Sequence, residues 1–407
     1  MPAVKPSPRG AVAPLPTLVL ATLLSLSALA STSWAETLEV RIGLISREPQ
    51  EYIPLSSLEI PIENDGLEGA MQGVRDNNTT GRFTGQAFSI SPVALEGDDA
   101  SGALRKLHAE GLRLFLVSLP AEALLALADL PEARDSLIFN IGAPDDPLRT
   151  QDCRANVLHT APSRAMLADA LAQYLAWKRW QKWFLVVGPH PGDQAYAAAL
   201  KRAAKRFGAK IVEEKAWTFE AGASRTDSGH FNEQQLANSF TQVDDYDILV
   251  VADEADEFGE YLNYRTYRPR PIGGTQGLIP AAWSGVMEQW GATQFQRRFR
   301  DETGRLMTPL DYAAWLAVRS IGEAATRTQS ADAQVLRDYI LSPDFELAAF
   351  KGVPLSFRDW NGQVRQPILL SEPRVLVSVS PQQGFLHQFS VLDTLGYDRG
   401  ETQCGRD

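Results

Sequence analysis

Apolar and polar positions along this chain follow two periods, and the two alternate. Leu38, Val40 and Ile42 alternate with Glu39 and Arg41, and Gly43, Leu44 and Ile45 continue the run. A period of two predicts a strand. Leu67, Ala70, Met71 and Val74 then recur at helical spacing, which predicts a helix with one buried face. Phe88 to Leu95 predicts a strand, Leu104 and Leu107 mark a helix, and Leu112 to Leu119 is a nearly all-apolar strand. Pro120 opens a helix containing Leu124, Leu125 and Leu127, since proline suits a first helical turn. Leu137 to Ile141 is the next strand. Apolar runs separated by amphipathic helices predict a parallel sheet covered on both faces.

A polar stretch from Gly142 to Ser163 carries no period, and then the rhythm restarts. Leu167, Ala170, Leu171, Tyr174 and Leu175 form a helical stripe, and Trp183 to Val187 a strand. Tyr196, Ala199, Leu200, Ala203 and Phe207 predict a helix ending at Gly208. Lys210 to Trp217 is a strand, residues 231–242 a helix, Asp247 to Ala252 a strand, and Pro271 with Ile272 begins another. Two doubly wound units therefore join near residue 160. The last third differs. Residues 286–302 and 309–327 predict helices, and Leu355 to Ile368 predicts a hairpin with Asn361-Gly362 as a type I′ turn.

Composition adds what the pattern cannot. The chain has 407 residues, 44% hydrophobic and 22% charged, as ordinary globular domains do. Its 39 Lys and Arg stand against 50 Asp and Glu, a net charge of -11, which argues against nucleic-acid binding. The first residues are expected to be an export leader. Lys5 and Arg9 precede an apolar stretch from Leu15 to Ala30, and Ser33 and Ala35 are the small residues of a cleavage site after Ala35. No later stretch has the roughly 18 apolar residues of a membrane span, so no stable membrane insertion is expected. Export also gives meaning to two cysteines, Cys153 and Cys404. An oxidising compartment permits a disulfide between them, which would tie the C-terminal tail to the middle of the chain.

Catalytic patterns are missing. Trp283-Ser284-Gly285 lacks the first glycine of a nucleophile elbow. Gly273-Gly274-Thr275-Gln276-Gly277 is neither a P-loop nor a dinucleotide fingerprint. His108, His159, His190, His230 and His387 stand alone, with no pair at metal-binding spacing. Asp253-Glu254-Ala255-Asp256-Glu257 is expected to be an acid-rich helix N-terminus, and Asp145-Asp146-Pro147 a turn. Asn78-Thr79-Thr80 fits both a glycosylation pattern and a turn. Neither an enzyme, a metal site nor a cofactor is expected.

The order of these elements resembles the type I periplasmic solute-binding proteins of the leucine/isoleucine/valine-binding family, over residues 38–370. The carriers are Val40-Arg41-Ile42-Gly43-Leu44-Ile45, the helix from Gly66 to Met71 leading to Asp76-Asn77-Asn78, and Asn156-Val157-Leu158-His159-Thr160 with Ala161-Pro162-Ser163. The helix at 309–325 and the hairpin from Gly352 through Asn361-Gly362 complete the set. Asp76 to Gln86 is similar to a narrower subgroup, the transporter-type binding proteins associated with pyrroloquinoline-quinone-dependent alcohol oxidation.

The resemblance implies an α/β fold of two doubly wound Rossmann-like lobes joined by a three-strand hinge. The N-terminal lobe would take residues 36–159 and 283–353, and the C-terminal lobe 160–282 and 354–390. Residues 391–407 would return as a tail to the hinge. A small-molecule ligand would sit between the lobes and be delivered from the periplasm to an ABC transporter permease that binds only transiently. A periplasmic sensor or accessory protein of an alcohol-oxidation system, without transport, would use the same cleft. In open parallel sheets ligands bind beyond the carboxyl ends of the strands, so residues there are the candidates. They are Tyr52, Ser118, Ala143, Asp145, Asp193 and Gln194 before their helix, Glu254 and Gln276. By resemblance, Tyr52 touches ligand from the rim, and the family uses backbone and a hydroxyl where Ala143 and Asp145 stand. Two departures matter. The family's Ser/Thr-rich carboxylate loop is here Ser118-Leu119-Pro120-Ala121, and its acidic residue for the α-ammonium corresponds to Gln276. Both halves of amino-acid recognition are weakened, which implies a ligand other than a standard amino acid. Trp283 and Tyr52 are candidate stacking surfaces.

Overall fold

The opening alternation becomes β1 (Leu38–Arg47), followed by α1 (Leu67–Thr84), β2 (Gln86–Leu95), α2 (Ala100–Ala109), β3 (Leu114–Ser118), α3 (Ala121–Ala128), β4 (Leu137–Asn140) and β5 (Val157–His159). The computed structural model describes residues 37–48, 62–97, 99–218 and 236–404. The expected leader, its cleavage site and Tyr52 lie outside them. The five strands pair in parallel in the order β2-β1-β3-β4-β5. A second parallel sheet, β7-β6-β8-β9, follows. It contains β6 (Lys182–Val187), β7 (Lys210–Ala216), β8 (Ile248–Ala252) and β9 (Ile272–Gly274), with α4 (Arg164–Lys178), α5 (Pro191–Arg206), α6 (236–240) and α7 (Gly259–Leu262). Both orders place a switch point beside the first strand, where connections leave in opposite directions.

The period of two accounts for the cores. Val40, Ile42, Leu44, Leu114 and Leu116 face one cluster, while Ile45, Phe115 and Val117 face another. Trp183, Leu185 and Val187 likewise oppose Phe184 and Val186 in the second sheet. The central strands β3, β4 and β8, and β6 after Lys182, are buried on both faces and almost wholly apolar, whereas β7 at the sheet edge carries Lys210, Glu213, Glu214 and Lys215.

After β10 (Ile279–Ala281), the chain forms α8 (Ala292–Thr303), α9 (Pro309–Thr328) and α10 (Ala333–Ile340). These pack against the first sheet through Phe295, Tyr312, Trp315 and Leu336. Helices α1 and α9 approach closely because Gly69 has no side chain; a Cβ there would lie 1.9 Å from the Asp311 carbonyl oxygen. The chain then forms β11 (Ser356–Phe357), β12 (Val364–Arg365), β13 (Ile368–Glu372) and β14 (Val375–Ser380). Strands β10, β13 and β14 make a small antiparallel sheet in that order, with Ile368 and Leu370 in the core of the second half.

Several local expectations are corrected. The stretch 142–163 contains β5 and a 3-10 turn, Asp146–Arg149; three residues are too few to show a period. Helix α8 starts at Ala292, not 286, because Gly291 takes φ 85° just before it. Of the helix expected at 231–242, residues 236–240 are helical, 241–242 are not, and the remainder lies outside the described residues. Asn78-Thr79-Thr80 sits inside α1, where the Asn78 amide exchanges two hydrogen bonds with the Phe88 backbone, at 2.9 and 2.8 Å. The hairpin at β11–β12 exists, but its turn is not type I′. Only Gly362 of the pair has positive φ, 64°, and Gly362 N–H bonds to the Arg358 carbonyl at 2.9 Å, closing a longer loop. Asp253 starts a turn, not a helix. Its carboxylate takes the N–H groups of Glu257, Phe258 and Gly259.

The tail is anchored. Cys153 and Cys404 form a disulfide with Cα atoms 5.6 Å apart, and the Gln403 N–H bonds to the Thr150 carbonyl at 2.8 Å. Arg358 donates to buried Asp393 at 2.8 Å, and Gly396 N–H to Asp169 at 2.8 Å.

Candidate functional site

Three strands of the first sheet, β3, β4 and β5, end beside one another, and a cleft of about 630 Å³ opens beyond their carboxyl ends. Ser118 follows from β3, Ile141 to Asp145 from β4, and Ala161 and Pro162 from β5. The first turns of three helices complete it: Ala121 of α3, Arg164 and Leu167 of α4, and Leu310 and Ala313 of α9. Such a rim concentrates helix N-termini, which favour polar or anionic groups. Here the cap of α3 is Pro120, which lacks an N–H.

Side-chain charge in this cleft centres on Arg164. Its fork grips Glu254, which follows β8, with Nε to Oε1 at 2.8 Å and Nη2 to Oε2 at 2.7 Å. Nη1 donates to Oδ1 of Asp145 at 2.8 Å. The Arg164 side chain is only 9% exposed, so these are charge-assisted bonds in a poorly solvated place. Burial opposes its charge, but the bond and attraction to Glu254, and then Asp145, raise its pKa above the ordinary arginine value. One guanidinium thus links a loop of the first sheet to a loop of the second.

Of the residues expected at strand ends, Ser118, Ala143 and Asp145 line the cleft. Glu254 stands behind Arg164 and meets the cleft through it. Asp193 and Gln194 lie in the first turn of α5, not before it. Asp193 is fully buried and accepts the backbone N–H of Glu254 at 2.6 Å and of His190 at 3.0 Å, so it positions Glu254. Gln194 donates to the Gly188 carbonyl at 2.8 Å. Gln276 donates to Asp256 at 2.6 Å and lines a separate cavity of about 820 Å³ with Trp180, Tyr264 and Tyr267. Trp283 is 1% exposed and stacks on Tyr312 at 4.6 Å, which makes it a packing residue. Among the described residues, no group of three or more His, Cys, Asp or Glu is placed to hold a metal ion.

Two further side chains shape the cleft. The buried Asn140 carboxamide accepts the N–H of Gly142 at 3.2 Å and of Ala143 at 2.8 Å, and donates to the Ala143 carbonyl at 2.8 Å. The N–H groups that end β4 are therefore already engaged. Arg149, 1% exposed, donates to the carbonyls of Ala143, Asp145 and Ala161 and to Gln363, all between 2.8 and 3.1 Å. It ties the cleft loop to the segment after β5 and to the late hairpin. Burial lowers its pKa to about 10.

Behind the cleft, Lys351 is buried between two connecting segments. Its ammonium donates to the Ala282 carbonyl and to the Pro367 carbonyl, the latter at 2.9 Å, and lies 5.0 Å from the Tyr312 ring. No ion pair meets it among the described residues, and burial lowers its pKa from 10.5 to about 7. Between those two values the unfolded chain binds more protons, so stability rises with pH. Below about 7 both states are protonated and the penalty is constant. Urea titrations of the natural chain are expected to show this alkaline gain, and Lys351→Met is expected to lose it. An identical alkaline slope in both chains would remove Lys351 as the cause.

A sequence model of the family described as "Periplasmic binding protein" matches residues 52–227. No curated protein matches the chain. Solved structures do. A periplasmic binding protein from Burkholderia mallei is similar with TM-score 0.61 at 17% identity, over 90% of this chain and 98% of that one. A leucine-, isoleucine-, valine-, threonine- and alanine-binding protein from Brucella ovis, in its closed conformation, gives 0.64 at 13% identity, over 82% and 89%. A solute-binding protein from R. palustris in complex with benzoate gives 0.61 at 13% identity, over 84% and 96%. The α/β fold with parallel sheets is that of the type I periplasmic binding proteins.

Proposed function

We propose that this chain is an exported, non-catalytic solute-binding protein of the leucine/isoleucine/valine-binding type, which captures a small ligand in the cleft and delivers it to an ABC-type importer. The observation that carries this is the cleft itself. It lies beyond the carboxyl ends of β3, β4 and β5, reaches Arg164, which Glu254 holds from the second sheet, and is lined mainly by Leu, Ile, Ala and Pro. The halves, taken as 36–159 with 283–353 and 160–282 with 354–390, act as lobes that hinge shut. A ligand drives closure only if it binds the closed state better than the open one. The closed shape is then what a permease recognises, transiently.

The leader cleaved after Ala35 places the protein in the periplasm. The described residues contain no helix long and apolar enough to cross a membrane. Neighbours of this fold include a leucine-, isoleucine-, valine-, threonine- and alanine-binding protein and a solute-binding protein in complex with benzoate, so the fold serves different ligands. In this chain Pro120 and Asn140 remove donors that a carboxylate would use, which supports a ligand other than a standard amino acid. The resemblance of Asp76 to Gln86 connects it to a pyrroloquinoline-quinone-dependent alcohol-oxidation system.

A thermal-melt screen of the mature chain tests capture, with alcohols, aldehydes, amines, acids, quinones and amino acids. A specific ligand at one hundred times its Kd is expected to add about 2.7 kcal/mol. Chemical change in a bound compound would replace capture by catalysis. A melt unmoved by the whole panel would count against capture.

A further inference from the structure

We infer, on the footing of that reading, that the ligand has a small apolar body ending in a protonated amine and carries no carboxylate. The charge count in the cleft leads there. Asp145, Asp146 and Glu254 supply three negative charges and Arg149 and Arg164 two positive, leaving one negative charge in surplus beside aliphatic walls. All three guanidinium nitrogens of Arg164 already donate to these carboxylates. Two N–H groups remain on Nη1 and Nη2, but a ligand carboxylate there would be a third anion on one guanidinium, or would displace Asp145 or Glu254. A displaced carboxylate, a quarter to a third exposed, would lose its charge-assisted bond.

Some backbone donors that a carboxylate would use are also missing or engaged. The N–H groups of Gly142 and Ala143 go to Asn140, and Pro120 has none. The first turn of α3 already carries Glu122 against its dipole. An ammonium meets the opposite situation. Oδ2 of Asp145 accepts no hydrogen bond from the described residues, and Asp145 lines the cleft. A cation beside it balances three negative charges with three positive ones and leaves the Arg164 bonds unbroken. Leu119, Ile141, Leu167 and Leu310 then surround an aliphatic body.

Isothermal titration of the mature chain with isopentylamine, isopentanol, isovalerate and leucine isolates the polar end on one carbon skeleton. Isopentylamine is expected to bind at least about tenfold more tightly than isopentanol, a difference of roughly 1.4 kcal/mol. Isovalerate and leucine are expected to be weaker still. In Asp145→Asn the surplus charge is gone, and the preference for the amine over the alcohol is expected to fall to about twofold or less. Equal binding of amine and alcohol, or tighter binding of isovalerate or leucine, overturns the inference while leaving solute capture intact. Silence from all four also overturns it, and the wider melting screen then decides capture separately.

Discussion

Replacing both Cys153 and Cys404 by serine is expected to destabilise the oxidised protein by about 5 kcal/mol, the largest effect of any change away from the cleft. The bridge closes a loop across a sequence separation of 251. Cross-linking so long a loop removes much of the freedom of the unfolded chain, and that loss grows with the logarithm of loop length. The native state contributes little to the difference, because the Gln403 to Thr150 backbone bond already holds the tail beside residue 150. Urea titrations with and without a reductant check this. The natural chain should lose its excess stability on reduction, and the double serine chain should not respond. Equal midpoints for oxidised and reduced natural chain would overturn this account, because the bridge would then not restrict the unfolded chain.

Asp393→Ala is expected to cost about 3–5 kcal/mol, the usual penalty for breaking one side of a buried ion pair. Asp393 is 0% exposed and Arg358 1%. Arg358 donates to Oδ1 at 2.8 Å, and Arg365 donates to both carboxylate oxygens at 2.9 and 3.0 Å. Alanine leaves two guanidinium groups facing an empty place, one of them with no route to water. Arg358 would retain its bonds to the carbonyls of Leu392 and Leu395, at 3.1 and 2.7 Å. Those bonds satisfy donors without neutralising charge. Asp393→Asn keeps the shape and an acceptor, so its cost should be visibly smaller. A loss below about 1 kcal/mol in Asp393→Ala would mean that water enters and solvates Arg358. Both changes loosen the same tail, so their effects are not expected to add.

These two anchors differ in how far the sequence announces them. Two cysteines in a chain expected to be exported suggest their own pairing. The Arg358–Asp393 pair has no such signal, because charged residues 35 positions apart meet only after the hairpin and tail have packed. The cleft divides in the same way. Strand ends point to Ser118, Ala143 and Asp145 because alternation marks where each strand stops. Gln276 also follows a strand, but that strand opens toward a different cavity. Arg164 left one clue, a basic residue in the first turn of a helix, where the dipole disfavours it. Asn140 left none, being one polar residue at the end of an apolar strand.

Local periodicity determined most strands and helices of both parallel sheets, because burying both faces of a central strand forces an apolar run, though not β5, which is too short to show a period. Composition and the cysteine count likewise needed no coordinates. Only tertiary structure decided that β10 pairs with β13, that Asn140 consumes the backbone donors beside Ala143, and that Arg164 is held by two carboxylates. Each of these is a contact between residues distant in sequence or a bond made by one side chain. Neither leaves a period in the chain, so packing alone reveals them.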